Sequence, residues 1–144
     1  MEPLCERFGV WAEAACLRMV ESDLERCVLL ALEPRRPSRR DKRRGGGRAG
    51  NVTDPGRRRF TVHYAAPSTS FRSSGLAIPR TLELENRSCV YTTARSRKAG
   101  AGDEWVDLGS DGGGGHSFRI EALPIPTSRR RSGCSTVLAF FYPQ

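Results

Sequence analysis

The sequence predicts a small, partly disordered α+β protein: an N-terminal amphipathic helix, a basic disordered linker, and short antiparallel strands in the C-terminal half. Three observations carry that expectation. Apolar residues recur at helical spacing near the N-terminus, alternate in period two beyond residue 60, and are almost absent between. Only 29 of 144 residues are Leu, Ile, Val or Phe, against a net charge of +8. A chain this short and polar holds one small domain at most, close to the composition at which cores stop forming.

Residues 1–33 read as the amphipathic helix. Val10, Leu17, Val20, Leu24, Cys27, Val28 and Ala31 fall on one stripe, widened by Leu4, Phe8 and Trp11. Pro3 suits a first helical turn, and Pro34 stops the helix after Glu33. Gly9, and the intrusion of Glu13 and Glu21 on the stripe, count against it. Leu17, Val20, Leu24 and Val28 are the face expected to cover the C-terminal strands or to meet a protein partner. Cys5, Cys16 and Cys27, spaced by eleven, would line one side of such a helix, too far apart to share a disulfide or a metal ion.

Residues 34–59 read as a disordered linker rich in Arg, Gly and Pro. Eleven bases crowd into it: Arg35, Arg36, Arg39, Arg40, Lys42, Arg43, Arg44, Arg48, Arg57, Arg58 and Arg59, opposed only by Asp41 and Asp54. Arginine forks onto phosphate oxygens without any fold being built first, so these are the candidate contacts to RNA or DNA. Arg43-Arg44, twelve residues, then Arg57-Arg58-Arg59 also has the layout of a bipartite signal for an import receptor. Arg44-Gly45-Gly46-Gly47-Arg48 resembles a single unit of an arginine–glycine RNA-binding segment.

Residues 60–144 read as a weakly specified β-rich region. Alternation predicts strands at 60–64, 81–85, 89–93, 104–108, 117–123 and 135–142, with a hairpin turn at Asn86-Arg87-Ser88 and a flexible glycine-rich loop at 109–115. The compact solution is a small antiparallel sheet covered by the N-terminal helix. The alternative is a largely disordered C-terminal half.

Catalytic and cofactor patterns are approached and missed. Gly115-His116-Ser117-Phe118-Arg119 lacks the final glycine of a hydrolase elbow, and Asp107 to Phe118 lacks the acid that closes a calcium loop. The glycine run has no Lys-Ser/Thr for a phosphate loop, no Cys-x-x-Cys occurs, and only two histidines are present. No metal, cofactor, small-molecule substrate or enzymatic activity is expected. The longest apolar runs are six residues, and Glu2 and Glu6 are the wrong charge for an export signal. The expectation is a soluble, unsecreted protein, nuclear or otherwise cytoplasmic, with free thiols and two unused glycosylation sequons. Ser38, Thr61 and Ser132 each follow an Arg-Arg-x pattern and are candidate phosphorylation sites.

The function expected is therefore a non-enzymatic nuclear or nucleic-acid-associated accessory protein acting through 34–59. Two alternatives stand beside it: an interaction module built on the N-terminal helix, and an orphan reading frame without an evolved role. An excess of Arg, Gly, Ala and Pro with only two lysines suits the latter.

Overall fold

A strand buried on both faces organises the molecule, and it starts where the helix was expected to continue. The computed structural model describes residues 13–35, 56–125 and 136–144. Within it a short helix, α1, covers 13–21, and the chain turns through a left-handed Asp23 before entering strand β1, Val28–Pro34. Strands β2 (Arg57–Pro67), β3 (Thr81–Glu85), β4 (Gly100–Asp107), β5 (Gly115–Ile125) and β6 (Thr136–Pro143) follow. All pairings are antiparallel, in the order β3-β2-β1-β6-β5-β4. The sheet curls until β3 and β4 approach, giving a nearly closed six-stranded barrel.

The expected helix-led α+β class is corrected by this sheet. The run Val28-Leu29-Leu30-Ala31-Leu32 is apolar throughout because β1 is covered twice. Val28, Leu30 and Leu32 face the barrel interior; Leu29 and Ala31 face outward beneath α1. A short run of this kind is compatible with a buried helix or a buried strand, and periodicity alone does not separate them. Two pairing partners, β2 and β6, settle it here.

The proposed helix face dissolves with that correction. Val20 is buried on the protein's own sheet, Leu17 is half-buried, Val28 lies in β1, and Leu24 is 86% exposed in the turn. These four residues share no helical face. Cys16 and Cys27 pack into the outer cluster from different elements, so the eleven-residue thiol stripe does not exist across them.

The interior is filled by alternation. Phe60, Leu82, Leu84, Val106, Phe118, Ile120, Ala122, Val137, Ala139 and Phe141 point inward, joined by Phe71 from a one-turn helix α2 (Thr69–Arg72). A further helix, α3 (Cys89–Ser96), packs its Val90 and Ala94 into the same core. Sequence alternation predicts a strand at 89–93, and the segment Cys-Val-Tyr-Thr-Thr suits one. The structure makes it helical instead. Ser88 caps it by accepting from the Val90 N–H, and Glu104 Oε1 accepts from the Cys89 N–H at 2.7 Å. Tertiary packing outweighs local preference. The other five expected strands are present, so the C-terminal half is sheet.

One irregularity lets β2 serve two cores. Ala31 pairs with Tyr64 but Leu32 pairs with Val62, leaving His63 as an extra residue. Such a bulge inverts the in–out alternation beyond it. Phe60 and Val62 therefore face the interior, whereas Tyr64 and Ala66 join the outer cluster under α1. The Tyr64 hydroxyl donates to Glu13 at 2.6 Å, tying α1 to the sheet.

The expected linker 34–59 is part sheet: Pro34 ends β1, and Arg57 to Arg59 open β2. Residues 36–55 lie outside the described residues, as do 1–12 and 126–135. The turn after β4 packs closely, since a Cβ on Gly112 would sit 2.5 Å from the Ala77 carbonyl oxygen. Among the described residues no helix is long and apolar enough to cross a membrane.

Candidate nucleic-acid interface

The basic segment leaves and re-enters the barrel at one place. Pro34 pairs with Phe60, and the Arg35 N–H donates to the Arg59 carbonyl at 2.8 Å, extending the β1–β2 ladder by one step. The described residues on either side of 36–55 thus belong to neighbouring strands. That stretch alone carries seven bases and two acids.

Strand alternation then sorts the arginines. Arg57 and Arg59 lie on the outer side of β2 and, with Arg35, line a groove of about 420 Å³ at the open seam of the barrel. Asp107, Leu108 and Gly109 at the end of β4 and Thr81 and Glu83 of β3 also line it. Arg59 Nε pairs with Glu83 at 3.0 Å. Asp107 Oδ1 accepts from the Gly109 N–H at 2.8 Å. Arg35 and Arg57 form no ion pair among the described residues. Two unpaired guanidiniums therefore face the groove, with five donors each.

Arg58 points the other way. Its guanidinium lies 5.0 Å from the centre of the Tyr91 ring, and its Nε donates to Asn86 Oδ1 at 3.0 Å. Arg95 approaches the same ring at 5.8 Å. Arg58 is committed to packing β2 against α3. Of the eleven bases singled out from the sequence, the structure brings three together and turns one away. Arg36, Arg39, Arg40, Lys42, Arg43, Arg44 and Arg48 lie outside the described residues, as do Ser38 and Ser132. Thr61 pairs with both Glu33 and Thr81 within the sheet, so a kinase would have to unpair β2 to read it as an extended strand.

The remaining reactive groups have structural tasks. Burial, reinforced by Glu104, pushes the Cys89 thiol up to about 12, the reverse of what a nucleophile needs. Burial also raises Cys16 and Cys27. His63 Nε2 lies 2.7 Å from Glu33, and His116 Nε2 lies 2.7 Å from the Gly113 carbonyl, clamping the glycine turn. Ser117 sits mid-strand in β5 rather than at a strand-to-helix elbow. Among the described residues no three His, Cys, Asp or Glu side chains gather as a metal-ligand set.

Sequence reasoning missed Trp105, the largest exposed aromatic beside the groove, 64% accessible on the outer face of β4. Its signal was present: with Val106 facing in, alternation puts Trp105 and Asp107 outside. No family model matches the chain, and neither does any curated protein or solved structure.

Proposed function

We propose that the protein binds nucleic acid through phosphate contacts, using the arginine groove and the basic segment rooted in it. The supporting observation is that Arg35 and Arg57, neither in an ion pair among the described residues, stand on either side of 36–55 and line the same groove. A rigid strand end presents the first phosphate sites, and seven further bases follow in the connection. Such contacts carry no base information, so binding is indifferent to sequence. If about six phosphates are neutralised, the log–log salt slope is near −5 on duplex DNA and near −4 on single strands.

Nuclear entry belongs to this reading in modified form. An import receptor reads extended chain, whereas Arg57 to Arg59 are paired in β2 and Arg58 is held on Tyr91. The clusters at Arg39-Arg40 and Lys42-Arg43-Arg44 would then carry import without the downstream triplet. Fluorescence anisotropy of labelled oligonucleotides across a salt series tests the binding. Replacing Arg35 and Arg57 together by Gln is expected to flatten the slope by about 1.5. An unchanged slope removes the groove from the interface. Undetectable binding by the unmodified protein at low salt removes the function.

A further inference from the structure

Building on that nucleic-acid reading, we infer that Trp105 is a base-stacking platform and that the preferred ligand is a single strand rather than a duplex. Trp105 contributes nothing to the interior, which Val106 fills from the adjacent position. Its indole is nevertheless held in place. A Cβ on Gly115 would lie 2.5, 2.7 and 2.8 Å from Cζ2, Cε2 and Nε1. These distances place the added Cβ out of the ring plane beside the Nε1–Cε2–Cζ2 border, so the indole leans over Gly115 with one face partly covered and its other face carrying the exposure. Any other residue at 115 would push the ring away.

The platform adjoins the groove. Trp105 and Asp107 lie two residues apart on the outer side of β4, about 7 Å along the strand. Asp107 lines the same groove as Arg35 and Arg57. Phosphates on the arginines would therefore place a neighbouring base within reach of the indole. Asp103 and Asp107 flank Trp105 on the same outer face, while Arg119, opposite Asp103 on β5, is drawn toward Glu25 and the Tyr142 ring. A duplex, with phosphates on its outside and its bases paired within, would bring its negative rails against the two aspartates. An unpaired base carries no charge and offers a π face to stack on.

The test is anisotropy with the full chain on a labelled 12-nucleotide pyrimidine single strand and a 12-base-pair duplex. Trp105→Ala removes an exposed side chain, so an unchanged thermal midpoint verifies folding. Single-strand affinity is expected to fall at least about fivefold with the salt slope kept, while duplex affinity stays the same. In a Trp11→Phe background, the single strand should also quench the remaining indole fluorescence and the duplex should not. Equal affinity of Trp105→Ala and the parent for the single strand overturns the inference, as does equal loss on both ligands. The Arg35→Gln, Arg57→Gln variant separates the two levels. If its slope flattens while Trp105→Ala changes nothing, phosphate binding stands and stacking falls. If the parent binds neither ligand, both fall.

Discussion

The two faces of the central sheet are closed in different ways. The inner face is enclosed by strands on every side, with Phe60, Phe71, Phe118 and Phe141 essentially inaccessible and α3 packed against them. Phe118 and Phe141 meet edge to face at 5.6 Å. The outer face is covered by one two-turn helix over Leu29, Ala31, Leu138 and Phe140, fastened by Glu13–Tyr64 and by Asp23 on Ser70. The inner core draws on every strand and is the cooperative unit. The outer cluster draws on β1, β2, β5 and β6 plus a helix that has a polar latch at each end. Stability should therefore be global inside and local outside.

The strongest way to break that comparison is in the lumen. Phe118→Ala is expected to cost about 3–5 kcal/mol and to lower the urea midpoint for sheet and helix signals together. Loss of the helix signal alone would contradict a single inner core. Val20→Asp attacks the outer face, with an expected cost of about 2 kcal/mol. Mass-spectrometric mapping of alkylation should show Cys16 and Cys27 reacting faster, while Cys89 stays slow and sheet amides stay protected. Simultaneous loss of sheet protection would make the two faces one unit. Tyr64→Phe removes only the hydroxyl at Glu13 and should cost about 1 kcal/mol. More local hydrogen exchange in 13–21 is its expected signature.

The smallest effect is a pH dependence. The Asp23 carboxylate accepts from the Ser70 N–H and hydroxyl, which hold its pKa below the ordinary carboxylate value. Its contribution is present above the unfolded value near 4 and is lost as pH falls through the lower folded value. Asp23→Asn keeps a residue that tolerates the left-handed backbone. The acid limb of a stability profile below about pH 4 should become shallower in this variant, with neutral stability lowered by the small contribution that the carboxylate makes there. An identical acid limb would show that the latch does not titrate with folding.

How much of this was legible depended on how many faces each segment buries. β5 shows its strand directly, because Phe118, Ile120 and Ala122 alternate with exposed Ser117, Arg119 and Glu121. β1 hides it, because α1 covers the outward Leu29 and Ala31. The segment at 89–96 misleads in the opposite sense: β-branched and aromatic residues suit a strand, yet the cap at Ser88 and the space left inside the barrel require a helix. The arginines at 57–59 were visible as charge. That Arg58 would face Tyr91 while its neighbours face the groove depends on strand register, which charge does not encode.

The bulge at His63 has a consequence for which changes the chain can tolerate. Position 63 opposes no residue on β1, so its contribution is one unit of chain length more than a side chain. Substitution there should be mild, since the hydrogen bond between His63 and Glu33 is surface-exposed. Deletion should be mild as well. Removing His63 makes Val62 and Tyr64 neighbours, as their partners Leu32 and Ala31 already are, so Tyr64 and Ala66 keep their place under α1 on a regular strand. The strand thus tolerates both a change of spelling and a change in count at this point. Variants lacking residue 63 are expected to fold with β2 regular and both clusters intact.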